Sequence, residues 1–129
     1  MLALEPLHGL RVVADPSALD RASWRGDLDV TVLRLAPDEA LALGARSIEI
    51  DDEHAIIQDE AGYAGAWLTA EEFEASVLPR IEWPLPEDRP AVAQGSVAGV
   101  PSKLWLRATG GALLVVQVAY ADELAGRLR

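Results

Sequence analysis

The run Ala112-Leu113-Leu114-Val115-Val116-Gln117-Val118 restricts this chain more than any other stretch of it. Only Gln117 is polar, so both faces of a strand built from these residues are apolar. Such a strand belongs in the middle of a sheet, with neighbours on both edges and both faces covered. It is far too short for a membrane helix, which needs about 20 apolar residues. The flanking sequence supplies partners. Ala91–Ala98 and Lys103–Arg107 read as strands, Gly99-Val100-Pro101-Ser102 and Thr109-Gly110-Gly111 read as turns. A closing helix over Tyr120–Arg129 aligns Tyr120, Leu124 and Leu128 on one stripe, with Asp122 and Glu123 early and Arg127 and Arg129 late, as the helix dipole favours.

Upstream, Leu10–Ala14 predicts a first strand, and Asp15-Pro16-Ser17 a turn or helix cap leading into one helical turn over Ser17–Ala22. The segment through Arg25-Gly26-Asp27 reads as loop, with Trp24 as a core plug. Asp29–Leu35 is a strand by its β-branched content. Pro37–Leu43 fits a helix opened by proline and acids, and equally a Pro-Asp-Glu turn with a returning strand. Ser47–Asp51 and His54–Gln58 read as strands joined by a hairpin or bend, and Tyr63–Leu68 as another strand. Thr69 with Glu72 three residues on is a capping box. Phe73 and Val77, flanked by Ala70 and Leu78, form the helix stripe that follows, which Pro79 should end. Ile81–Pro90 is an extended, proline-punctuated connection, short enough to lie within a single domain over residues 1–129.

Charge and composition narrow the function classes. Residues 51–90 hold eleven acids against two bases, a net of −9 in a chain of net −10. Nucleic-acid binding needs clustered Lys and Arg, so it is not expected. The acidic segment could face a basic partner, or simply be a solvated face. There is no cysteine, which excludes disulfides and thiolate chemistry. No apolar run is long enough for a membrane span and no signal peptide is visible, so a cytoplasmic protein is expected.

No chemistry-bearing motif emerges. His54 lies among Asp51, Asp52, Glu53 and Asp59, but without the glycine-bearing spacing of a calcium loop. The Gly95-Ser96-Val97-Ala98-Gly99 run lacks the central serine of a nucleophile elbow. No phosphate-binding glycine motif is present. No catalytic, cofactor-binding or metal-binding residue is therefore assigned; the absence of a catalytic motif leans against an enzyme without deciding it. Trp67, Trp83 and Trp105 read as core or interface. Alternation places Lys103, Trp105 and Arg107 opposite Leu104 and Leu106, and a tryptophan between two bases makes a candidate protein interface.

The order of segments resembles the gamma subunit of heterotetrameric sarcosine oxidase, related to the folate-binding domain of aminomethyltransferases. The resemblance is carried by Leu33–Leu43 around Pro37-Asp38-Glu39, by Asp59-Glu60-Ala61-Gly62 leading through Trp67-Leu68-Thr69 into a capped helix, and by Gln94-Gly95 through Lys103–Arg107 to the helix at Tyr120–Leu124. It implies a hairpin at Pro37, and an α+β fold with a mostly antiparallel sheet and two or three helices. A helix usual in that family after the Pro-Asp-Glu hairpin is missing. Glu60 and Ala61 stand where the family has a Ser-His pair, so no folate or catalytic role carries over. The resemblance implies an accessory subunit without cofactors of its own, docked to a larger flavin-dependent amine oxidase. Two alternatives stay open: a folate- or small-ligand-binding domain with a cleft near Trp67 and Trp83, and a small self-associating protein.

Overall fold

The computed structural model describes residues 2–129. The chain is α+β, and every strand pairing given below is antiparallel. It divides into two compact units: one is Leu7–Gly62, the other Tyr63–Arg129 with the N-terminal residues up to Pro6. Among the described residues no helix is long and apolar enough to cross a membrane.

The first unit is built on β1 (Glu5–Val13), α1 (Pro16–Asp20), β2 (Ser23–Ala36) and β3 (Glu39–Glu49). β3 is central, pairing with β1 from Gly9↔Leu43 to Val13↔Glu39 and with β2 along most of its length. Pro37–Leu43 is thus the hairpin alternative. The Asp15 carboxylate caps α1 by accepting from the Ala18 amide. Arg34 then ties α1 to the hairpin turn, donating to the Pro16 and Pro37 carbonyls and pairing with Asp20. Leu10, Val12, Leu19, Ala40, Ala42 and Ala45 form the unit's core, with Trp24 packed against it.

One expectation fails here, and the strand expected at Ser47–Asp51 takes an unexpected partner. Trp24-Arg25-Gly26 is strand, not loop, and Ser47–Glu49 ends β3 by pairing with Ser23–Arg25. A kink at Gly44, whose φ is +85°, lets β3 run on past a bulge in β2 between Gly26 and Thr31. Any side chain at Gly26 would collide with the Gly44 carbonyl. A glycine-aspartate pair that suggests a loop is here the close approach that sustains the ladder.

In the second unit, the chain pairs β4 (Ile56–Leu68), through Tyr63–Leu68, with β7 (Ala112–Gln117). β7 pairs with β6 (Val100–Leu106), and β6 with β5 (Ala91–Val97). β7 lies between two strands with all but Gln117 buried, as its composition predicts. Val118 leaves it to open a 3₁₀ turn. β5 and β6 join through Ala98 and Gly99 alone, both with positive φ, so Val100–Ser102 is strand where a longer turn was expected. Pro101 lies just outside the β6–β7 ladder, which begins at Ser102↔Val116.

One face of these four strands carries Leu68, Ala93, Leu104, Leu106, Leu114 and Val116, covered by Phe73, Val77, Leu124 and Leu128 from two helical segments. The first starts at the Thr69–Glu72 capping box as α2 (Ala70–Glu72), widens to a π turn over Phe73–Val77 and tightens to 3₁₀ over Leu78–Arg80. Pro79 therefore does not stop it, because a 3₁₀ turn tolerates proline at its start. Leu78 is exposed rather than part of the stripe. The second segment is α3 (Ala121–Arg127). Leu124 and Leu128 are buried, but Tyr120 is 38% exposed: it ends the preceding 3₁₀ turn, out of phase with the α-helical stripe. The Ala98–Gly99 turn is braced by both segments, its amide donating to the Arg80 carbonyl and its carbonyl accepting from Arg127.

Candidate functional site

Alternation along β6 sends Leu104 and Leu106 into the core and Lys103 and Trp105 to the opposite face, where both are half-buried. Arg107, immediately after the strand, is exposed. The rows across the sheet are fixed by register. Trp105 faces Leu113 of β7, which faces Trp67 of β4, so two tryptophans flank a buried leucine. Lys103 faces Val115, which faces Gly65. The Lys103 ammonium donates to Gln94 (3.1 Å) and lies 5.8 Å from the Tyr63 ring centroid.

Arg107 and Trp67 form the exposed end of this face. The Arg107 guanidinium carbon sits 4.8 Å from the Trp67 ring centroid, a cation–π contact, and Trp67 is 50% exposed. The turn at Thr109-Gly110-Gly111 follows Arg107. Its ends are held by Arg107 N–H donating to the Gly111 carbonyl and Gly110 N–H to the Arg107 carbonyl. Gly111 approaches the Leu68 carbonyl so closely that an added Cβ would lie 2.8 Å from it. The sequence singled out Lys103, Trp105 and Arg107; the structure keeps them on one face and adds Trp67. The sequence names Trp67 only as core or interface; no local pattern reports its contact with Arg107, because that approach spans three strands.

Trp67 also borders a cleft of about 530 Å³, whose other walls include Leu2, Ala66, Leu68, Ser76, Leu128 and the charged Arg129. Glu72 lines it too, with one carboxylate oxygen accepting from the Thr69 amide (3.0 Å). That hydrogen bond, with the Thr69 hydroxyl beside it, holds the Glu72 carboxyl below its ordinary range. Trp83 is not part of this cleft. Its indole N–H donates to the Ser96 carbonyl (2.8 Å), its ring packs where a Gly95 side chain would be, and it borders a separate cleft with Arg80 and Glu82.

The acidic turn around His54 has local structural work. Asp52 accepts from the Asp15 and His54 amides, which lowers its pKa, and His54 is exposed beside Glu53. Among the described residues no group of three or more histidine, aspartate or glutamate side chains is arranged to hold a metal ion. Comparison of the chain with protein-family models, with curated proteins and with solved structures returned no match.

Proposed function

We propose that this protein is a non-catalytic accessory subunit that docks onto a larger protein through the face carrying Trp67, Trp105 and Arg107. The observation that carries the reading is the Trp67–Arg107 pair, a half-exposed indole with a guanidinium held over its ring. Tryptophan and arginine are the residue types most enriched where interfaces concentrate binding energy, since each offers large contact area and directional bonding at once. The rest of the row favours the same use. Leu113 is buried between the two tryptophans that flank it in the register.

The segment order of the chain, similar to that of the sarcosine oxidase gamma subunit, suggests a flavin-dependent amine oxidase as the partner. Affinity purification of the tagged chain from its native source tests this. A co-purifying flavoprotein, retained by wild type and lost with Arg107→Glu, is the expected result. Recovery of the chain alone would overturn the reading.

A further inference from the structure

We infer that the cleft lined by Lys103, Tyr63, Gln94 and Gln117 is a binding site for a small organic carboxylate carrying a single negative charge. The Lys103 ammonium meets the carboxylate, and the carboxamides of Gln94 and Gln117 meet its neutral polar groups. The inference stands apart from the docking reading, and the isolated chain is enough to test it.

Four neighbouring strands build the cleft. Tyr63 of β4 faces Gln117 of β7, and Lys103 of β6 faces both Val115 of β7 and Gln94 of β5. The volume is about 340 Å³, at the small end of ligand sites. Val115 and Pro101 add apolar surface, and the exposed Gln94 and Gln117 keep the site open to solvent. The half-buried Lys103 ammonium donates to the Gln94 side-chain oxygen (3.1 Å) and lies 5.8 Å from the Tyr63 ring centroid. Both contacts position the charge without cancelling it, and such preorganisation reduces the entropy lost on binding.

Charge selects the ligand. This chain carries twenty-one acids against eleven bases, so an anion must be recognised locally, against the net charge. The clefts bordered by Trp67, by His8 and by Trp83 each include a carboxylate as well as an arginine: Glu72 with Arg129, Asp59 and Glu60 with Arg46, Glu82 with Arg80. The Lys103 cleft differs, because among the described residues lining it Lys103 alone is charged. A single ammonium matches a single negative charge. Phosphates and polyanions are gripped by several bases or by clustered backbone N–H groups at helix N-termini, and strands build this cleft. A cation would be repelled, and a neutral ligand would desolvate the ammonium without supplying a counter-charge.

The test is a two-dimensional NMR titration of the isolated chain with N-acetylglycinate, which joins one carboxylate to one amide. Its uncharged counterpart N-acetylglycinamide and inorganic phosphate are titrated in parallel. N-acetylglycinate should shift the Lys103, Gln94 and Gln117 signals saturably, and bind about tenfold more tightly than N-acetylglycinamide. Lys103→Gln should weaken binding about tenfold and Lys103→Arg should restore part of it, with signals away from the cleft unchanged in both. If Lys103→Gln loses the wild-type spectrum, the exposed Gln117→Ala takes its place and should weaken binding a few-fold. Absence of saturable shifts at these residues overturns the inference, as does binding that ignores Lys103→Gln. Equal binding of N-acetylglycinamide would assign the cleft to a neutral ligand, and tighter binding of phosphate would make it a phosphate site; either result also overturns the inference.

Discussion

Three glycines show how differently one residue type can be constrained. Gly99 has a φ of +80°, and a Cβ there would lie 2.9 Å from the Arg127 guanidinium that braces the turn. Gly99→Ala should cost about 1–2 kcal/mol in denaturant titration, through left-handed backbone strain and a displaced Arg127. Gly126, in α3, meets nothing within 4 Å. Gly126→Ala should stabilise by about 0.5–1 kcal/mol, by lowering the entropy of the unfolded chain in a helix-compatible position. At Gly95, a Cβ would come within 2.4 Å of the Trp83 ring. Gly95→Ala should expel that indole, break its bond to the Ser96 carbonyl, cost about 1–3 kcal/mol and shift tryptophan emission to longer wavelength. All three glycines are visible in the sequence. Which one tolerates a methyl group depends on neighbours 12 or 28 residues away (83 to 95 and 99 to 127), and no local pattern reports those.

The elements best foreseen are those whose signals are local. The capping box at Thr69–Glu72 forms as the spacing predicts, because both of its hydrogen bonds close within one turn. Thr69→Ala should cost about 1 kcal/mol in the same titration. Its acid sensitivity has a defined sign. The Thr69 amide and hydroxyl hold the folded-state pKa of Glu72 below its usual 4.5, so its contribution to stability is complete above that value and fades as pH falls through the lower folded-state one. Asp15, held down by the Ser17 hydroxyl and Ala18 amide, and Asp52, held down by the Asp15 and His54 amides, act in the same direction from 3.8. Stability should therefore decline between about pH 5 and pH 2, and less steeply in Glu72→Gln than in wild type. The elements misjudged are those where backbone geometry overrides composition. β3 continues through Gly44, the helix after Thr69 continues through Pro79, and the last helix begins out of phase at Tyr120. Each depends on a left-handed residue or a 3₁₀ turn that a regular 3.6-residue or two-residue period does not encode.

For the whole molecule, stability and docking should separate. Leu114 is fully buried among Leu104, Ala93 and the covering helical segments, and Leu114→Ala should cost about 2–5 kcal/mol. Arg107 is exposed, so Arg107→Glu should leave the melting temperature nearly unchanged while abolishing retention of a partner. A melting shift in Arg107→Glu as large as that of Leu114→Ala would mean that the Trp67–Arg107 contact serves the fold instead. By itself, the sequence determined the central strand, the turn glycines, the capped helix and the alternation that turns Lys103, Trp105 and Arg107 away from Leu104 and Leu106. These follow from periodicity and local hydrogen bonding. Tertiary structure alone decided that Trp67 meets Arg107, that Trp83 lies apart from it, and that Trp67 borders a cleft with Glu72 and Arg129. The cause is register: β7 separates β4 from β6, and only their pairing through Leu113 brings residues 67 and 107 to one end of one face.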